Sequence, residues 1–457
     1  MIDLTNQVRH IHLIGIGGIG VSGLAEVMLS RGYSVSGSDM KASTITQKLQ
    51  GKGARVYIGH VASQVEGADL VVYTAAVRED NPELAKAIAL GIPSVNRAEM
   101  LGFLMHQYPK SLAVSGTHGK TTTTSMLSII LERAGLDPTL LIGGELKEIN
   151  GNAKIGNGPY MVAEACEYKD SFLSFRPFGA IVLNIDEDHL DYFRDLNHIT
   201  ESFQQFSKQI ESSGFLVLNQ DDVCCRKLIL NPDVRRITFG IENQADCMAT
   251  NIRYNALGHG AFDLFFRDVF LGSIELAVPG QHNIYNALAA TAAALDCEVS
   301  YTIIQNSLKE FGGAKRRFEY RGSFHGATVI DDYAHHPTEI RATLAAACRV
   351  PHNRIWCIFQ PHTYTRTSEL MQEFGRSFPD ADEIIITKIY AARETDTLGV
   401  HGSDLVERIQ SNGQTARYLD SFDEVTQFLN ENAQPDDLIL TVGAGNICEI
   451  AEILTHM

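Results

Sequence analysis

A lysine followed by threonines, set directly after two closely spaced glycines, can hold a chain of phosphates. Residues 111–125 read SLAVSGTHGKTTTTS. Gly116 and Gly119 let backbone N–H groups close around phosphate oxygens, and a helix opening just beyond them adds partial positive charge. Lys120 is placed to reach the outer phosphates, and the Thr121 hydroxyl to sit on Mg²⁺, with Thr117, His118 and Thr122 completing the loop. The common form of this loop, G-x-x-x-x-G-K-[ST], has a glycine where Val114 stands, so the pattern here is the shorter G-x-x-G-K-T-T. The competing reading is a glycine-rich turn with a solvated lysine.

A second glycine cluster lies near the start. Gly15, Gly17 and Gly20, with Gly18 between them, form G-x-G-x-x-G after an apolar run, and Ser38-Asp39 comes about twenty residues later. An acid at that distance holds a ribose hydroxyl in dinucleotide-binding units, and the glycines seat a pyrophosphate. NAD is the default ligand; a UDP-sugar would use the same seat. Arg97 either meets a phosphate or carboxylate or pairs with Glu99 on the surface.

Further polar groups stand where strands are expected to end. Glu164 closes the run YMVAE, and His189 comes after AIVLNIDED. With a loop threonine they could hold Mg²⁺, although Mg²⁺ prefers oxygen and a histidine ligand would be unusual. Glu164 could instead be a helix N-terminal charge, and His189 a capping or core histidine. Asn283 and Asn286 sit one turn apart in an Ala-rich helix and could read an adenine edge, or Asn283 could cap that helix. Arg316-Arg317 could clamp phosphates or be a solvated pair. Downstream, DDYAHHPTE carries Tyr333, His335 and His336, and QPHTYTRT carries His362 and Arg366; an arginine on a strand-end loop suits bidentate capture of a carboxylate. Paired histidines could bind zinc, but no Cys or third-His spacing completes such a site.

These groups need strands to carry them. Short apolar runs at 10–14, 70–73, 112–114, 160–163, 180–183, 327–330, 355–359, 383–387 and 438–442 alternate with helical spacing, and 245–278 reads as additional strands. The fold class is α/β, in three units: an N-terminal Rossmann-like unit over about 1–108, a central phosphate-loop, mononucleotide-binding unit over 109–315, and a C-terminal Rossmann-like unit over 316–457. The 457 residues carry a formal net charge of −17, which as a whole-molecule field disfavours nucleic acid and anionic membranes. The eight scattered cysteines contain no C-x-x-C and read as reduced thiols in a cytoplasmic protein. MIDLTNQVRH has no apolar leader core, and no apolar run approaches the roughly 18 residues of a membrane helix.

Taken in order, HIHLIGIGGIGVSGLA, GYSVSGSD, SGTHGKTTTTSM, EACEYKDSF, LNIDEDHLDYF, GQHNIYNALAA, KRRFE, DDYAHHPTEI, FQPHTYTRT and TVGAGNI resemble the Mur ligase family over nearly the whole chain. The resemblance implies ATP-dependent joining of L-alanine to UDP-N-acetylmuramate through an acyl phosphate, in peptidoglycan precursor synthesis; a sister activity attaches a preformed tripeptide to the same sugar. It implies UDP-N-acetylmuramate, not NAD, on Gly15, Gly17, Gly18, Gly20, Ser38, Asp39 and Arg97. ATP would lie on residues 116–122 with Asn283 and Arg316, and Mg²⁺ or Mn²⁺ on Thr121, Glu164 and His189. The amino acid would lie among Tyr333, His335, His362 and Arg366, with Lys120, His189, His335 and Arg366 as the catalytic set. The partners are small molecules only, with the chain a monomer or homodimer. Some members carry Arg where Thr363 stands; here Arg366 would act without that neighbour.

Overall fold

The computed structural model describes residues 8–456 apart from 75, 76 and 79; the first seven residues, part of the stretch read as lacking a leader core, lie outside the described residues. Its strands form three sheets, and each sheet turns one edge of strand ends toward a common region.

The first sheet has five parallel strands in the order Arg55–Ile58, Ser34–Asp39, His10–Ile14, Leu70–Tyr73, Ser94–Asn96. Its central strand is an apolar run with Ile11, Leu13 and Ile14 fully buried, as a strand covered on both faces requires. The glycines come at once after it, and the helix Ile19–Ser30 returns with Leu24, Val27 and Met28 against the sheet.

The second sheet has ten strands. Five neighbours sit at its parallel centre: Arg235–Gly240, Phe215–Asn219, Gly179–Val182, Lys110–Ser115 and Tyr160–Glu164. Register decides the chemistry. Val182 pairs with Ser115 and Val114 with Glu164, so three chain segments leave the sheet side by side. The helices Lys120–Arg133 and Gln281–Asp296 pack on one another over this sheet. The stretch expected to add strands does so as Cys247–Tyr254, His259–Phe266 and Val269–Pro279, each joined antiparallel to the next.

The third sheet has six strands in the order Glu319–Phe324, Ala327–Asp332, Leu438–Val442, Ile355–Phe359, Glu383–Ile386, Ala416–Tyr418, parallel except for the first. Among the described residues no helix is long and apolar enough to cross a membrane, and all eight cysteines are free thiols.

Candidate active site

The phosphate loop leaves the Lys110–Ser115 strand and enters the helix Lys120–Arg133. Gly119, the residue before that helix, has φ 84°, and a Cβ there would stand 2.5 Å from Asn286 Oδ1, so the turn and the close approach both demand glycine. Lys120 folds back over its own loop. Its ammonium donates to the carbonyls of Gly116 (2.5 Å) and Thr117 (3.0 Å) and forms an ion pair with Glu167 at 2.9 Å. Burial opposes its charge, but Glu167 holds the lysine protonated, above its ordinary range. Glu167 is a partner that sequence reading passed over. It lies three residues beyond Glu164 in EACEYKDSF, and nothing in the sequence marks it out from the other carboxylates near strand ends.

Beside the loop, the Thr121 hydroxyl donates to Glu164 at 3.3 Å, and the other Glu164 oxygen accepts the Gly143 N–H at 2.6 Å. His189 reaches the same cluster from the next strand end: Nε2 is 4.0 Å from Glu167, and the ring lies 4.6 Å from that of Tyr168. Thr121 thus meets Glu164, and His189 approaches Glu167, the ion-pair partner of Lys120.

Three cavities open around these groups. The first, about 360 Å³, is bounded by His118, Gly119, Thr122 and Asn283 from the central unit and by Arg317 and Glu339 from beyond it. Asn283 does not cap its helix; Gly280 takes that position, while Asn283 Nδ2 donates to Pro279 O and its Oδ1 accepts from Asn286. Arg316 does not line this cavity. It donates to Asp331 at 2.9 Å and to the carbonyls of Gly443 and Gly445, leaving Arg317 as the arginine of the pair that faces the cavity. Both guanidinium groups lie near the Tyr333 ring, 5.0 and 5.1 Å from its centre, and Arg316 has a left-handed φ of 59°.

The second cavity, about 310 Å³, runs between the first and second sheets and is lined by Gly18, Gly20, Arg97, Gly143, Glu164 and Cys166. A Cβ at Gly20 would stand 3.1 Å from Arg97 Nη1, so the bare glycine lets the guanidinium lie over the helix start. Glu99 does not pair with Arg97 among the described residues; it completes a capping box with Asn96. Gly15, Gly17, Ser38 and Asp39 shape the turn without lining the cavity: Asp39 accepts the Gly17 N–H at 2.9 Å, and the Ser38 hydroxyl meets His60 at 3.0 Å.

The third cavity, about 220 Å³, gathers Tyr333, His335, His362 and Arg366 with Cys166, His189 and Arg393. Arg366 donates to Asp188 at 3.0 and 2.8 Å and to His362 at 3.1 Å. Burial opposes the Asp188 charge, but His189 and Arg366 hold the carboxyl well below its usual range. Burial pulls His335 down to about 4 and His362 to about 3, so both are neutral near pH 7. His335 Nδ1 faces the Tyr333 carbonyl at 3.0 Å and must donate, which leaves the lone pair on Nε2. Cys166 lines both the second and third cavities, so the two meet at that residue.

The loop also touches the third sheet's unit. His118 bonds Asp186 and Glu339, each at 3.2 Å; Thr338 donates to Asp186 at 2.8 Å, and His336 Nε2 donates to the Glu187 carbonyl at 2.8 Å. Burial opposes a charged imidazole, but the two carboxylates raise His118 to about 9. His118, Asp186 and His336 lie close enough to hold a metal. Their ring nitrogens are taken by these bonds and by the Thr338 N–H, so the group acts as a hydrogen-bonded bridge.

A glycine-broken loop on a parallel sheet, with cavities opening toward two further α/β units, defines a three-part phosphate-loop protein. The chain belongs to the Mur ligase family: residues 10–109 match the family's catalytic domain, 114–294 its middle domain, and 316–445 its glutamate ligase domain. It is 50% identical over 449 residues to UDP-N-acetylmuramate–L-alanine ligase of Alkaliphilus metalliredigens, covering 98% of this chain and 97% of that one. Against the enzyme of the same name from Caldanaerobacter subterraneus it is 49% identical, covering 99% and 98%. Among solved structures it resembles UDP-N-acetylmuramate-alanine ligase MurC from Thermotoga maritima, with a TM-score of 0.83 at 30% identity over 98% of each chain. A murein peptide ligase from Psychrobacter arcticus comes next with a TM-score of 0.74 at 26% identity, again over 98% of each.

Proposed function

We propose that this chain joins L-alanine to the carboxylate of UDP-N-acetylmuramate, converting ATP to ADP and phosphate. The observation that carries the reading is that the second cavity, lined by Glu164, and the third, lined by His189, meet at Cys166, while the first opens on the phosphate loop at His118, Gly119 and Thr122. Relatives of that name, about half identical over nearly the full length, support the choice of substrates.

ATP lies along the phosphate loop from Gly116 to Thr122, with its base toward Asn283 and with Arg317, rather than Arg316, near its anionic end. UDP-N-acetylmuramate lies across Gly18, Gly20 and Arg97, its carboxylate directed toward Cys166. The Thr121 hydroxyl and the Glu164 carboxylate form an oxygen donor pair that fits Mg²⁺, and the family resemblance adds His189, which approaches Glu167. A cation held there would offset the charge of two anionic substrates.

A carboxylate oxygen of the sugar attacks the γ-phosphorus, ADP leaves, and an acyl phosphate remains. Lys120 counters the charge that collects on the transferring group. The amine of L-alanine then attacks the acyl carbon and phosphate departs. His335 Nε2 takes the proton released as the C–N bond forms. Tyr333, His362 and Arg366 frame the amino acid, and the three units together supply orientation.

The amino-acid cavity is smaller than the nucleotide cavity. That favours one amino acid over a tripeptide, which has nearly as many heavy atoms as ATP. The test is phosphate release from ATP and UDP-N-acetylmuramate with a panel of acceptors. Release should be strongest with L-alanine; release driven by a murein tripeptide and not by alanine would overturn the choice of acceptor, and none with any acceptor would overturn the ligase reading.

A further inference from the structure

Two guanidinium groups stand on the wall of the third cavity, and they differ in what they already hold. Arg366 is committed. Its Nε and Nη2 both donate to Asp188 Oδ1, at 3.0 and 2.8 Å, and its Nη1 donates to His362. Asp188 is buried, so Arg366 cannot turn wholly to another anion without stranding that carboxylate. Thr363, the neighbour that starts the Arg366 helix, adds no charge; its hydroxyl accepts the Arg366 N–H.

Arg393 arrives from a different stretch, the loop after the Glu383–Ile386 strand, and lines the same cavity. Its Nη2 donates to the Tyr168 hydroxyl at 2.6 Å, and its guanidinium carbon lies 5.1 Å from the Tyr168 ring centre. Tyr168 in turn donates to Asp191 at 2.8 Å. The arginine is therefore aimed by a tyrosine of the central unit while its charge stays uncommitted: among the described residues no carboxylate forms an ion pair with it. A guanidinium steadied against an aromatic ring loses less freedom when it grips a ligand, and its fork matches a carboxylate at two points.

We infer that Arg393, steered by Tyr168, holds the carboxylate of the amino-acid acceptor. This rests on the ligase reading above and adds to it the group that recognises the acceptor's acid end. Arg366 then keeps the Asp188 side of the pocket in shape, and the acceptor is gripped between a C-terminal loop and a central-unit tyrosine.

The experiment compares L-alanine with L-alaninamide, which keeps the amine and lacks the negative charge, in the wild-type chain and in Arg393→Ala, Arg393→Lys and Tyr168→Phe. Phosphate release is measured with ATP and UDP-N-acetylmuramate in excess. Arg393→Ala should raise KM for L-alanine by about tenfold or more, the size of a lost charge-assisted contact, and leave KM for the amide, ATP and the UDP-sugar nearly unchanged. Arg393→Lys should recover part of the loss, and Tyr168→Phe should cause a smaller one. An unchanged KM for L-alanine, or equal losses on alanine and its amide, would overturn the assignment. Equilibrium binding of L-alanine to protein loaded with the UDP-sugar and a non-hydrolysable ATP analogue gives a second reading. Unweakened binding in Arg393→Ala overturns the clamp. A wild-type chain that releases no phosphate with any acceptor overturns the ligase reading instead.

Discussion

Lys120 shows how much of the site lies in pairs rather than in single residues. The glycines and Lys-Thr-Thr were legible in the sequence because phosphate binding needs them contiguous. Glu167 was not, since a buried counter-charge can come from any strand end; here register alone brings it to the lysine. Removing the lysine by Lys120→Ala should lower kcat by about a hundredfold or more, on the scale of a lost electrostatic contact to a reacting group, while binding of the UDP-sugar persists. It should also strand the Glu167 carboxylate, whose side chain is 2% exposed, and cost roughly 3 kcal/mol of stability. Adding Glu167→Gln should restore the unfolding temperature and leave turnover low. Thermal unfolding beside a phosphate-release assay reads both; recovery of turnover in the double variant would show that the lysine serves only its partner. Arg316 and Arg317 make the same point from the other side. Adjacent in sequence, they were indistinguishable there. The bonds of Arg316 to Asp331 and to two carbonyls of the last strand-end loop assign the roles, and those carbonyls lie far away in sequence.

At the scale of elements, the strands were legible as apolar runs, and the two glycine turns as the breaks that end such runs. His10–Ile14, Leu70–Tyr73, Ile355–Phe359 and Leu438–Val442 fall where their runs place them, because a parallel strand buried on both faces has little freedom in composition. Helix caps were less legible. Asn283 has a residue type that caps helices, yet Gly280 starts that helix and frees Asn283 for the cavity wall. The junction between strand and helix is under tight constraint at Gly119. A Cβ there meets an Asn286 oxygen that also receives the Thr123 hydroxyl, in a backbone region that side chains rarely adopt. Gly119→Ala should therefore destabilise the chain by about 1–2 kcal/mol and raise KM for ATP, with KM for the UDP-sugar little changed. An ATP KM equal to that of the wild type would mean that the loop accommodates a side chain, and that its glycine is not needed for phosphate approach.

Across the whole molecule, the meeting of the phosphate loop with the paired histidines of the last unit could not be read in advance. Sequence places them some two hundred residues apart; the structure sets the His118 and His336 rings 4.7 Å apart. His118 joins Asp186 of its own unit to Glu339 of the other, and Thr338 and His336 add bonds across the same seam. His118 titrates at about 9, above its ordinary 6.5, while Asp186 and Glu339 are held below the usual carboxylate range. A raised imidazole stabilises the bridged state fully below about pH 6.5, and that contribution is lost as pH climbs through about 9. The carboxylates act in the opposite sense: their contribution is present above their ordinary range and lost on acidification through their lowered values. The bridge is thus strongest from mildly acidic to neutral pH. Between pH 7 and 9.5 the wild-type unfolding temperature should fall by about 3 °C more than that of His118→Gln, and the radius of gyration from solution scattering should grow in the wild type only. Parallel pH profiles for the two proteins would mean that the seam is held by Thr338 and His336, and that the imidazole charge takes no part in keeping the two units together.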